Sequence, residues 1–269
     1  MGVCWIVRFK FRALFSNTGK FLALLPQDHV YHPGQNKPAS GLFLLFIKLK
    51  LNLPLLHPMT VPAQYFTLFE EYINTHRFTG SPATLYDPAN YIMSLGGKRL
   101  RPLMVLLAAE AAGGDVHAAL PAAMAIEVFH NFTLVHDDIM DAAPLRRSKP
   151  TVHTKWDTPT AILSGDMMMF RSVMYLQQLP PEIFQKVLPV FTTTAIEVCE
   201  GQQLDMDFER RDDVTIEEYL HMIALKTSVL LGCSFHIGAV CGGGSERLAS
   251  DLYSFGKNLG IAFQLHDDI

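Results

Sequence analysis

Three aspartates, Asp137, Asp138 and Asp141, close the run "AALPAAMAIEVFHNFTLVHDDIMD", which is otherwise almost entirely apolar and built from helix formers. An amphipathic surface helix has one apolar stripe, whereas a run this apolar all round belongs inside a bundle of helices. On such a helix Asp137 and Asp141 share a face, and Asp138 is turned about 100° away. Like charges four residues apart destabilise a bare helix, and more so when partly buried. The sequence therefore demands a buried helix whose end carries concentrated negative charge, with something positive to balance it.

The rest of the chain has the same helical character, and strand signals are scarce. "FTLFEEYINTH" sets Phe66, Phe69, Tyr72 and Ile73 at three-to-four spacing, which predicts one buried helix face. "PLMVLLAAEAAGG" opens on Pro102 at an expected first helical position and stops at Gly113 and Gly114. Further helices are expected over residues 160–179, 182–204, 215–241 and 246–268. The fold class is all-α, a bundle of long helices.

Two parts of the chain differ in charge. Before Met59, seven basic residues face the single acid Asp28, a balance of +6, so the overall −4 leaves −10 for residues 59–269. Residues 1–58 mix Pro, Gly, basic residues and short apolar runs without a sustained period, and read as an atypical N-terminal extension, disordered or not native. A targeting or membrane-surface segment is the alternative. Residues 59–269 form the domain. The four cysteines make neither a CxxC pair nor a zinc-ligand spacing, which fits a reducing cytoplasm. "GLFLLFI" is far shorter than the roughly 20 residues needed to cross a bilayer, so no membrane span is expected. Nothing points to nucleic acid.

Carboxylates without sulfur or paired histidines suit Mg²⁺, which keeps several waters and is commonly shared with substrate phosphates. Phosphate-binding candidates are present. Arg146 and Arg147 follow the aspartates after a turn containing Pro144, and "GGKRLRP" presents Lys98 and Arg101 just before a helix N-terminus. A flexible basic loop is the alternative for either cluster. Near the end of the sequence, "FQLHDDI" repeats the His-Asp-Asp-Ile of "LVHDDI". Two aspartate-bearing helices facing each other could hold metal ions from both sides of a cavity.

Together "GGKRLRP", "HNFTLVHDDIMD", "LRRSKPTVH", "LSGD", "GQQLDMDF", "LKTSVL" and "FQLHDD" resemble the trans-isoprenyl diphosphate synthases, or polyprenyl synthetases, from about Val61 to Ile269. The resemblance implies a bundle of long helices around a central cavity, and an Mg²⁺-dependent prenyltransferase that condenses an allylic diphosphate with isopentenyl diphosphate, in a homodimer. It assigns Asp137 and Asp141 to metal with Asp138 in support, and Asp267 and Asp268 to a further metal. Arg146, Lys226, Thr227 and Gln264 would serve the allylic diphosphate; Arg147, Lys98, Arg101 and His130 would serve isopentenyl diphosphate. "GQQLDMDF" is expected to turn Gln203 and Asp207 towards the cavity. A core role is the alternative for His130.

Phe132 and Phe129 lie five and eight residues before Asp137, where a bulky ring could floor the cavity and limit product length. The resemblance favours a geranylgeranyl product, then farnesyl, with plain core packing of Phe132 as the alternative. In the family the second motif continues to a third aspartate and further helices, whereas this sequence stops at Ile269, so a truncated polypeptide of low stability and activity is expected. A terpene cyclase would not need Lys98, Arg101 and His130 for a second diphosphate. A non-catalytic partner subunit commonly lacks the first-motif aspartates that are present here.

Overall fold

The computed structural model describes residues 63–267, with the side chain of Asp267 outside the description. The extension over residues 1–58 and Asp268 also lie outside it. The described chain is helical: α1 (Ala63–Thr75), α2 (Ala83–Ser94), α3 (Leu100–Ala111), α4 (Leu120–Met140), a hairpin of β1 (Leu145–Arg146) and β2 (Lys149–Pro150), α5 (Val152–Lys155), α6 (Thr158–Leu176), α7 (Pro181–Phe208), α8 (Ile216–Ile223), a π turn (Ala224–Ser228), α9 (Val229–Cys241) and α10 (Glu246–Asp267). The all-α expectation holds.

Helix α4 is the axis of the bundle. It packs on α3 and α6, while α9 packs on α3, α7 and α10. Phe129, Ile126, Met124 and Val128 are fully enclosed, as a helix without a polar face requires. Met168 of the methionine triplet is buried and Met167 and Met169 pack against the core, so the triplet fills space.

Several boundaries depart from the sequence reading. On α1 the buried stripe is Tyr65, Phe69 and Ile73, and Phe66 is 40% exposed. Stepping by four from Tyr65 gives the stripe, so the expected face was turned by about one residue. Helix α3 starts at Leu100, which puts Pro102 third rather than first. That costs nothing, because the first four N–H groups have no partner within the helix. Helix α2 was not anticipated, since Pro88 lies inside it. Proline forfeits one helical hydrogen bond, and burial of Pro88, Ala89, Ile92 and Met93 against the core offsets that loss.

Residues 216–241 run as one helical stretch with a π turn at Ala224–Ser228. The stretch is long and apolar enough to cross a membrane, but 78% of its most apolar window is buried within the fold. It is a core element. The hairpin is the other unexpected feature. Leu145 pairs with Pro150 and Arg146 with Lys149, and the two linking residues, Arg147 and Ser148, have φ of 53° and 63°. Two left-handed residues in a two-residue hairpin correspond to a type I′ turn, normally built with Asn or Gly. Holding Arg147 there costs strain, which in folded proteins concentrates at functional positions.

Candidate active site

The aspartates lie at the C-terminal end of α4, and each meets a different environment. Asp138 is buried, and Arg146 of β1 grips it: Nε donates to Oδ1 and Oδ2 at 3.0 and 2.9 Å, and Nη2 lies 2.8 Å from Oδ1. The same Nη2 is 3.6 Å from Asp137 Oδ2. Asp138 thus supports the site by holding an arginine beside Asp137. Asp137 Oδ1 is enclosed without a hydrogen-bond partner, and the Lys226 ammonium lies 3.7 Å from it.

Lys226 reaches this point from the π turn. The widened turn is marked by Ser228 Oγ donating to the Ile223 carbonyl five residues back, at 3.2 Å. It lets the lysine leave a helix that is otherwise buried, in keeping with the frequent use of such turns at functional sites. Gly201 of α7 closes on it from behind: a Cβ there would sit 2.2 Å from the Lys226 backbone nitrogen. The ammonium pairs with Asp205, also on α7. Burial disfavours the charge, but Asp205 and Asp137 outweigh it and hold the lysine above its ordinary pKa. Asp141 is pushed the other way, its carboxyl raised by burial first and then by Asp137, Asp205 and Glu209, against the opposing pull of Lys226.

The α7 residues that face this centre are Gly201 and Asp205, four apart, and Glu209, just past the helix end, adds its charge from the next step of four. Gln203 and Asp207 do not face it. They bond to each other at 2.8 Å on an exposed face, so the reading that turned them towards the cavity is corrected. The helical step of four from Gly201 was the available signal for Asp205. Gln202 has its Nε2 buried without a partner.

A second group of cations gathers about two turns further back along α4, around His130. Arg101 Nη1 is 3.2 Å from His130 Nε2, and Arg101 Nε is buried with no partner. Because arginine only donates, His130 Nε2 must accept, which places the imidazole proton on Nδ1. Burial, then the charges of Arg101, Arg147, Arg146 and Arg99, hold the His130 pKa well below its ordinary value. The imidazole is therefore neutral at pH 7. Arg147 reaches across from the hairpin turn, its Nη2 2.7 Å from where a Gly97 Cβ would sit. Lys98 lies 6.0 Å from the centre of the Phe263 ring on α10. Lys98, Arg101 and Arg147 make no ion pair among the described residues.

Arg99, which the sequence reading passed over, takes no part in that group. It is 4% exposed and directed inward, on Glu70, Glu127 and the Met93 carbonyl. Asn131 Nδ2 donates to Glu127 Oε1 at 3.1 Å. An acid on an apolar helix, Glu127, was the clue to a buried cation.

Thr227 Oγ1 and Gln264 Oε1 are brought to 3.5 Å, beside Lys226. Asp267 has only its backbone described and Asp268 lies outside, so the second metal motif contributes no geometry. Below the aspartates, Phe132 touches His136 (4.8 Å between ring centres) and Phe129 (5.5 Å), which in turn meets Phe191 of α7 at 5.3 Å. His136 Nε2 lies 3.2 Å from the Ile162 carbonyl, which anchors that aromatic row to α6.

Among the described residues, no three His, Cys, Asp or Glu side chains already form a metal cage. The donor set nevertheless fits a hard divalent cation. Asp137 presents an unpartnered buried oxygen, and the ionised form of Asp141 is disfavoured by burial and then by the surrounding negative charge, which a cation would relieve.

The likeness to known proteins spans this whole arrangement. The geranylgeranyl diphosphate synthase of Methanosarcina mazei is 47% identical over 190 residues, 70% of this chain and 59% of the relative. A crystal structure of a geranylgeranyl pyrophosphate synthase superposes with a TM-score of 0.76 at 52% identity, covering 78% of this chain and 64% of that one. A polyprenyl synthase from Caulobacter crescentus CB15, complexed with calcium and isoprenyl diphosphate, gives a TM-score of 0.70 at 31% identity over 77% of this chain and 62% of that one. The chain thus spans about six-tenths of the length of such curated relatives. The model of the family described as Polyprenyl synthetase matches residues 82–269, taking in every element that carries the aspartates and both groups of cations. This chain belongs to the polyprenyl synthetase family.

Proposed function

We propose that the protein is a prenyltransferase that joins an allylic diphosphate to isopentenyl diphosphate and releases a trans-prenyl diphosphate one isoprene unit longer. The observation that carries this reading is the pair of cationic groups along α4, one at its end and one about two turns before it. Arg146 and Lys226 are shared among the aspartates, while Lys98, Arg101 and Arg147 make no ion pair among the described residues and Arg101 meets the neutral His130. One group matches a diphosphate bound together with metal, and the other a diphosphate bound without it. A terpene cyclase, with one diphosphate to hold, has no use for the second group.

Asp137 and Asp141, with Asp267 and Asp268, would hold Mg²⁺. When bound, Mg²⁺ supplies neutralisation of the charge that gathers on the departing diphosphate, and a template for it. Lys226, Thr227, Gln264 and Arg146 hold the allylic diphosphate. Lys98, Arg101, His130 and Arg147 hold isopentenyl diphosphate, whose double bond attacks the allylic cation left when the allylic diphosphate departs; the resulting cation then loses a proton to give the lengthened prenyl diphosphate. No protein nucleophile is needed. Phe132, backed by Phe129 and His136, blocks the growing chain. The aromatic row and the geranylgeranyl synthases among the relatives support a geranylgeranyl product.

A homodimer is supported by an apolar stripe on α6, where Leu163, Phe170 and Met174 are 60%, 67% and 48% exposed. Faces of this kind mark interaction surfaces. The free thiols of Cys199, Cys233 and Cys241 support a reducing, cytoplasmic setting.

The test supplies the protein with Mg²⁺, radiolabelled isopentenyl diphosphate and dimethylallyl or farnesyl diphosphate, and separates the products by chain length, with Phe132→Ala run alongside. Labelled geranylgeranyl diphosphate from the wild type and longer products from the variant are expected. Absence of any labelled prenyl product would refute the activity, and unchanged product length would refute the role of Phe132.

A further inference from the structure

We propose that Arg99 is a positioning residue for the isopentenyl diphosphate loop, fixing Gly96–Arg101 so that its neighbours Lys98 and Arg101 face the substrate. This inference rests on the reading of Lys98, Arg101, His130 and Arg147 as the isopentenyl diphosphate site.

The loop has an unusual backbone. Gly96, Gly97 and Arg99 have φ of 72°, 141° and 49°. Glycine takes the first two without strain, but Arg99 does not, because a left-handed conformation brings its Cβ against the following carbonyl. Something must hold it there. The guanidinium shows what does: Nε donates to Glu70 Oε1 at 2.8 Å, Nη1 to Glu127 Oε1 at 2.7 Å, and Nη2 to the Met93 carbonyl at 2.7 Å. These partners come from α1, α4 and the end of α2, so one side chain ties the loop to three helices. The planar fork of arginine can satisfy three such directions at once, and a lysine cannot.

A cleft of about 120 Å³, lined by Glu70, Ile73, Asn90, Met93, Gly96 and Arg99 among others, borders the loop. On that side the backbone is not enclosed by packed atoms and leans on the Arg99 hydrogen bonds. The inward turn of Arg99 also determines where the adjacent side chains go. Lys98 is exposed near Phe263, Arg101 meets His130, and Gly97 lies under Arg147. Without the anchor, the loop could relax to ordinary φ values and carry Lys98 away from Arg101.

The test is calorimetric titration of isopentenyl diphosphate, and separately of dimethylallyl diphosphate with Mg²⁺, into the wild type, Arg99→Lys and Glu70→Gln, with a thermal melt of each. Glu70 is partly exposed and supplies only one of the three bonds, so Glu70→Gln remains informative should Arg99→Lys fail to fold. Arg99→Lys is expected to weaken isopentenyl diphosphate binding by about 10- to 100-fold. Glu70→Gln should weaken it less, in the same direction, and both should leave dimethylallyl diphosphate affinity within about twofold, well under the 1.4 kcal/mol of a tenfold change. Equal losses for both ligands would mean general damage and overturn the proposal. So would unchanged isopentenyl diphosphate binding in both variants. A wild type that binds dimethylallyl diphosphate but no isopentenyl diphosphate would overturn the reading of the site itself, and this inference with it.

Discussion

Two arginines grip carboxylates on the same helix, three turns apart, and they do opposite things. Arg99 meets Glu127 near the middle of α4 in a closed centre: each of its nitrogens has a partner, Asn131 adds a bond to Glu127, and the guanidinium is 1% exposed. Burial works against its charge, yet Glu127 and Glu70 more than compensate, so its pKa is raised. Arg146 meets Asp138 at the helix end in an open centre, 23% exposed, with Asp137 Oδ1 beside it lacking any hydrogen bond and Asp141 resisting ionisation. Both centres are arginine–carboxylate pairs on α4. Saturation of the cation separates them: an arginine whose every nitrogen is paired holds the scaffold, even with Asn131 Oδ1 left buried and unpartnered beside it, whereas surplus charge and an unpartnered carboxylate oxygen mark a place for ligands.

The largest effect that would break this contrast is on stability. Glu127→Ala leaves the Arg99 guanidinium buried without its main counter-charge and should cost about 3–5 kcal/mol. Chemical denaturation would measure it, and a loss below about 1 kcal/mol would mean that the closed centre is not structural. Asp137→Ala should do the reverse. Removing a carboxylate from a crowd of them leaves stability unchanged or slightly higher, while Mg²⁺-dependent turnover falls by about 10²–10³. A variant that unfolds yet keeps its turnover per folded molecule would erase the distinction.

The smallest effect concerns pH and sharpens the account of the second cationic group. The folded state holds His130 neutral, with its pKa well below the ordinary 6.5. Above that value both folded and unfolded imidazoles are neutral and nothing changes. As pH falls below about 6.5, the unfolded chain takes up a proton that the folded chain refuses, so stability declines by at most about 1.4 kcal/mol per pH unit. Replacing His130 with glutamine should flatten that part of the stability–pH curve, and an unaltered slope would contradict the buried neutral imidazole.

Much of the site was legible in advance, and for a local reason. The spacing of Asp137 and Asp141 sets them on one helical face whatever surrounds them, and apolar runs of more than twenty residues leave a helix little choice but to be buried. Lys98, Arg101, Arg146 and Arg147 were singled out because clusters of cations around an acidic helix end call for an anion, whereas His130, which alone reads as a core histidine, was assigned only by the family resemblance. Lys226 stood out as a charge in an apolar segment, where burial demands a partner.

What stayed hidden depended on rotation about an axis or on a distant partner. Asp205 and Asp207 are two residues apart on α7, and only the contact of Gly201 with the π turn decides that the first faces Lys226 and the second faces outward. The π turn itself is invisible in composition, because its residues would fit an ordinary helix. In "KRLR" three cations stand within four residues, and no local rule says which one turns inward. Arg99 does so because Glu70, Glu127 and the Met93 carbonyl, 29, 28 and 6 residues away, meet at one point. The sequence by itself determined most of the long helices and the charges at their ends, since these follow from neighbours along the chain; α2, with Pro88 inside it, needed the core to form. Tertiary structure decided which charges would be satisfied and which left open, because that balance depends on groups that meet only when the helices pack.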